Sequence, residues 1–88
     1  MSEKSKIIVV SGRPLDDYLV EIVLSFQEGF DTVVVKGYGP NASRVADLYN
    51  AVVGRLKDSV EIEEISIGSD RVGRRMKSYL SFRLRRKF

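Results

Sequence analysis

Two β-branched runs, Ile7-Ile8-Val9-Val10 and Thr32-Val33-Val34-Val35-Lys36, stand on either side of a stretch with helical periodicity, and that order constrains the fold more than any other feature of the chain. Short apolar runs bounded by polar residues suit strands buried on both faces, so the first is expected to be a central strand. Between them Pro14 sits where a first helical turn tolerates it, and Asp16, Asp17 and Glu21 favour the positive helix end. Leu15, Tyr18, Leu19, Ile22, Val23 and Phe26 recur at helical spacing. The expected helix runs from about Pro14 to Glu28, with Gly29 as its C-terminal cap. Such a strand-helix-strand unit carries parallel strands joined by a right-handed crossover.

Gly37-Tyr38-Gly39-Pro40-Asn41 breaks the pattern as a turn. A second helix follows, capped by Asn41 or Ser43 and marked by Val45, Leu48, Tyr49, Val52, Val53 and Leu56. From Val60 to Ser69 the chain alternates as a strand, except that Ile62 and Ile65 fall out of phase across Glu63-Glu64, which predicts a bulge or a change of covered face. Asp70-Arg71-Val72-Gly73 reads as a loop. In the last segment Leu80, Phe82 and Leu84 point one way while Lys77, Tyr79, Ser81, Arg83, Arg85 and Lys87 point the other, so the basic end is itself a strand. The order strand, helix, strand, helix, strand, strand predicts an α+β two-layer sandwich, with two helices on one face of a mixed four-stranded sheet. The last two strands form a hairpin whose tip, from Ser66 to Ser78, offers only Ile67, Val72 and Met76 as core-type residues. An end so poor in apolar anchors is expected to project as an arm.

With 88 residues the chain is expected to be a single domain over residues 1–88, small enough that a second subunit would add useful buried surface. The hydrophobic fraction of 43% suits a globular protein, and no apolar run approaches the ~18 residues that span a bilayer. Met1 to Lys6 are polar, with no apolar stretch of the signal-peptide kind, so the expected location is cytoplasmic. The sequence holds no cysteine and no histidine, which removes disulfides, thiolate nucleophiles, the commonest general base and the usual zinc ligands together. No enzyme, cofactor or metal site is expected. Charge is distributed unevenly. Residues 1–70 hold seven Lys or Arg against twelve Asp or Glu, and residues 71–88 hold eight against none. A basic patch on one element is the electrostatic footprint of phosphate neutralisation, a merely solvated cationic tail being the competing reading.

Three constellations are candidates for binding. The hairpin carries Arg71, Arg74, Arg75 and Lys77, and a two-stranded ribbon is narrow enough to enter a DNA groove. Gly12 and Arg13, at the start of the first helix, offer backbone N–H groups and a bidentate donor. Lys36, Tyr38, Asn41 and Arg44 open the second helix at the carboxyl end of a parallel strand, where α/β sheets often take anions. Capping turns without a ligand explain both loops equally well. Arg13 and Tyr38 are expected to lie together and to face one phosphate stretch. Arg86 on the closing strand adds a further candidate contact. Tyr18, Tyr49 and Phe26 lie on apolar helix faces, as core or dimer interface.

The stretches IIVVSGRPLDDYLVEIVLSFQEG, VVVKGYGPNASRVADLYNAV and VEIEEISIGS, with the closing basic strand, resemble the archaeal chromatin protein Alba family from Ile7 to Lys87. The resemblance implies a homodimer whose two arms reach along minor grooves while the body faces the duplex. It also implies a fold similar to the C-terminal domain of a bacterial translation initiation factor. Gly12 and Arg13 stand where the family has a lysine pair, so the lysine discussed as an acetylation switch is missing. Tyr38 and Pro40 replace second-loop arginines, leaving Lys36, Asn41 and Arg44 as contacts. Leu56 takes the place of a phenylalanine used between neighbouring dimers. These departures look like the second, divergent copy that some archaea carry, and admit a heterodimer with a paralogue. The expectation is an architectural protein, associated with the chromosome, that coats or compacts double-stranded DNA without sequence preference. RNA binding, as by an RNA chaperone or ribonuclease P subunit, and an adaptor for an acidic protein are the alternatives.

Overall fold

The computed structural model describes residues 4–87 of the chain. Met1–Glu3, part of the polar start on which the expected location rests, lie outside the described residues. Strand β1 (Ser5–Val9), helix α1 (Leu15–Gln27), strand β2 (Thr32–Tyr38), helix α2 (Ala42–Leu56), strand β3 (Val60–Val72) and strand β4 (Arg75–Arg86) follow in the expected order. The sheet has the strand order β1-β2-β4-β3, with β1 parallel to β2 and the other pairings antiparallel. Both helices turn their apolar faces to the sheet. Tyr18, Leu19, Ile22 and Phe26 of α1 and Val45, Leu48 and Val52 of α2 are buried against Ile8, Val33, Val35, Phe82 and Leu84. Each such aliphatic or aromatic side chain contributes about 1.5–3 kcal/mol on leaving water, and together they form the core. Among the described residues, no helix is long and apolar enough to cross a membrane.

Strand β1 is not central. It forms a sheet edge, because β4 pairs along the other side of β2, and only one sheet face is covered by helices. Its inward residue Ile8 is buried, as is Val10 just beyond its end, whereas Ile7 and Val9 are 63% and 53% exposed. The interior position belongs to β2, whose Val33, Val35 and Gly37 face the helices while Val34, Lys36 and Tyr38 lie half-buried on the open face. The expected break in alternation is present as a register shift between Ile62 and Glu64. Strand β3 runs past Ser69 to Val72, so the expected four-residue loop shrinks to Gly73-Arg74. Gly73 alone of this pair has a positive φ, +65°, the pattern of a II′ hairpin turn with glycine first.

Neither Asn41 nor Ser43 caps α2 through its side chain. A single 3-10 turn, Gly39–Asn41, feeds the helix directly, and Ser43 Oγ instead donates to the Pro40 carbonyl at 3.1 Å. That turn folds tightly back onto β2. A Cβ at Gly37 would stand 2.5 Å from Val45 Cγ2 and 2.7 Å from the Asn41 carbonyl oxygen, so the position accepts glycine alone without backbone movement.

Candidate nucleic-acid interface

The hairpin leaves the body as an exposed ribbon: every residue from Arg71 to Ser78 is exposed. The ladder sets Val72 opposite Arg75, Asp70 opposite Lys77 and Arg71 opposite Met76. Arg75 and Lys77 therefore share one ribbon face, Arg71 takes the other, and Arg74 sits in the turn. Among the described residues, none of these four cations has a carboxylate within ion-pair distance. A ribbon with cations on both faces and at its tip can present charge to both walls of a groove.

At the root of the arm, side chains from β2, β3 and β4 form a cluster that spacing alone did not announce. Lys36 Nζ donates to Asp70 Oδ2 at 3.0 Å, and Tyr38 Oη donates to the same oxygen at 2.8 Å. The Lys36 ammonium lies 4.2 Å from the centre of the Tyr79 ring, which meets the Tyr38 ring edge-on at 6.1 Å. Tyr79 has room because its cross-strand neighbour is Gly68, where a Cβ would stand 2.7 Å from the Tyr79 hydroxyl. The hydrogen bond from Lys36, then that from Tyr38, holds the Asp70 carboxyl below its ordinary 3.8. The same contact to Asp70 is the main cause that raises Lys36 above 10.5 and the Tyr38 phenol above 10.0.

A depressed carboxylate stabilises the fold fully above its unfolded value and loses that contribution as pH falls through the lowered value. A raised lysine does the reverse, being fully effective below 10.5 and lost as pH rises through its own raised value. The cluster, with Lys77 across the ladder as the further charge facing Asp70, is therefore intact throughout the neutral range. The ring resonances of Tyr38 should stay constant from about pH 5 to 9, shift in acid as Asp70 is protonated, and shift again in base as Lys36 and the Tyr38 phenol lose their protons. A carboxylate-linked midpoint above the ordinary 3.8 would contradict the pairing.

The two body loops also meet, though their side chains do not face one target. Arg44 Nε donates to the Ser11 carbonyl at 3.1 Å, and its guanidinium also reaches the Arg13 carbonyl, so Arg44 ties the first loop to the start of α2. The Ser11 N–H donates to the buried Tyr18 hydroxyl at 2.7 Å. Burial pushes the Tyr18 phenol up, but the Ser11 hydrogen bonds and the Arg13 charge leave it lowered overall. Arg13 lies 4.6 Å from the Tyr18 ring centre and binds Glu21 at 3.1 Å, while Tyr38 is turned to Asp70. The expected Arg13 and Tyr38 pair thus shares a neighbourhood but not a direction, because each side chain has found an internal partner. Gly12 is exposed, with open space around its Cβ position. A groove of about 510 Å³ runs between the loops and the arm, lined by Ser11, Tyr38, Pro40, Asn41, Met76 and Lys77 among others.

Arg86 lies at the opposite end of the sheet, opposite Val60, where it donates to the Phe26 carbonyl at 3.0 Å and approaches Asp31 at 3.6 Å. Leu56 is at that end too, lining an apolar cleft of about 370 Å³ with Val23, Phe26 and Val60. Sequence reasoning missed Asp70, Gly68 and Tyr79. The available signal was Gly73-Arg74: a two-residue turn there forces Asp70 opposite Lys77 and Gly68 opposite Tyr79.

A family model described as Alba matches residues 6–69. The chain belongs to the Alba family. It is 34% identical over 87 residues to the DNA/RNA-binding protein Alba 2 of Saccharolobus solfataricus, covering 98% of each chain. The protein of the same name from Saccharolobus shibatae is 33% identical with the same coverage. Alba from Thermoplasma volcanium has the same fold, with a TM-score of 0.74 at 21% identity over 91% of this chain and 99% of that one. The Alba relatives are named as binding proteins, not as enzymes. The family match ends at Ser69, short of the cationic tip of the arm.

Proposed function

We propose that this Alba-family chain, as a single domain over residues 1–88, binds double-stranded DNA without sequence preference and coats or compacts it as a dimer on the chromosome, in the cytoplasm. The observation that carries this reading is the exposed ribbon with Arg71, Arg74, Arg75 and Lys77 free of acidic partners among the described residues. Contacts to phosphate and groove shape supply affinity without a base code. Lys36, Tyr38, Asn41, Gly12, Arg13 and Arg44 would line the body side of the duplex. Arg13 and Arg44 contribute partly through the loop they shape.

Dimerisation is supported by an apolar strip on the helix-side face of the edge strand β3. Ile65 and Ile67 are 54% and 83% exposed there, and Ile65 borders a cleft that also contains Ala46, Tyr49 and Leu80. Uncovered apolar side chains on an edge strand are what a second subunit buries, whether an identical copy or a paralogue. RNA is kept as a second reading, because the relatives are named for both DNA and RNA.

The test is a salt titration with matched B-form DNA and A-form RNA duplexes, together with sedimentation at micromolar protein. A log-linear fall of affinity with salt, tighter binding to DNA and a dimeric species are expected. Equal or tighter binding to the RNA duplex would shift the reading to RNA. Binding to neither would leave the adaptor role.

A further inference from the structure

Lys36 and Tyr38 direct their polar atoms at a single oxygen, Asp70 Oδ2, at 3.0 and 2.8 Å. Two donors converging on one anionic oxygen is also the way proteins receive a phosphate oxygen. The donors belong to β2 in the body and the acceptor to β3 in the arm, so the cluster lies where a duplex held by the arm would meet the body. Asp70 is the one acidic residue from Ile65 to Phe88, a segment that holds eight Lys or Arg. We propose that Lys36 Nζ and Tyr38 Oη form a receiving site for one backbone phosphate oxygen, which the Asp70 carboxylate fills in the free protein and leaves when the duplex binds.

Three features suit such an exchange. The Asp70 side chain is 40% exposed, and ion pairs in contact with water are worth little net, so its displacement is cheap. The Tyr79 ring 4.2 Å from Lys36 Nζ keeps the ammonium in place when the carboxylate departs. Lys77 stands directly across the ladder and offers the displaced carboxylate a second cation. Asp70 thus holds the site assembled in the free protein, at the cost of competing with the ligand.

The inference rests on duplex binding as proposed above. Its test measures the affinity of D70N and D70S for one short DNA duplex across a salt series. D58N, a charge-matched change in the exposed turn after α2, serves as control, and thermal melts check that each variant is folded. D70N should bind about three- to tenfold tighter than D58N at ~100 mM salt, with a salt slope steeper by about one unit, and the gain should vanish in a K36M background. D70S should behave likewise. If both Asp70 variants bind no better than D58N, or the gain persists without Lys36, Asp70 is a structural latch only and the proposal is overturned. Wild-type binding that weakens on loss of Arg74 and Arg75 keeps the duplex reading standing whatever D70N does. Absence of wild-type binding removes both.

Discussion

Replacing Arg74 and Arg75 together by alanine is expected to weaken duplex binding for every sequence tested and to flatten the salt dependence by up to ~2 units of slope. Arg74 lies in the two-residue turn and Arg75 pairs with Val72 beside it, both exposed and without carboxylate partners among the described residues. Nothing in the fold depends on their charge, so the melting temperature should stay close to wild type. A double variant that keeps wild-type affinity and slope at ~50 mM salt would remove the arm from the binding surface.

If the chain dimerises through β3 as proposed, Ile67→Asp is expected to yield monomers and to lower duplex affinity by roughly 10²–10⁴-fold, since two linked arms act at high effective concentration and a lone arm does not. In a monomer Ile67 is 83% exposed, so an aspartate there meets water and leaves the fold intact. In a dimer closed over β3 it buries an unpaired charge, which association cannot sustain. Sedimentation of the variant reads the outcome directly. A persistent dimer would place the interface on another surface.

Element order and the bulge were legible because each leaves a mark in periodicity: Glu63-Glu64 breaks an alternation that the register shift at Ile62 and Glu64 explains. The position of β1 was not legible. Ile and Val favour strands by shape alone, so Ile7-Ile8-Val9-Val10 reads the same whether one face is covered or two. The end of β3 was misplaced for a related reason. Asp70, Arg71 and Gly73 have turn-like composition, and in a ribbon with no core beneath it no apolar period remains to overrule them. Charges in the candidate site were visible along the chain, but their partners were not. Asp70 lies 34 residues from Lys36, and Arg44 lies 33 from Ser11. Only the paired strands and the helix start bring them together, and that is why the sequence suggested free contacts where the structure holds internal bonds.

The length of the exposed ribbon also sets a linear charge density. From the Asp70–Lys77 rung to the Val72–Arg75 rung the arm spans three residues per strand, or about 10 Å at ~3.4 Å per residue. Duplex DNA carries about six charges over that distance, at one per ~1.7 Å. Arg71, Arg74, Arg75 and Lys77 supply four positive charges. One arm therefore neutralises about two-thirds of the stretch beside it, and an equal arm laid along the same segment would reverse the local charge. Coverage on a long duplex would then saturate with arms laid end to end, a stoichiometry fixed by the reach of the hairpin and not by the width of the body.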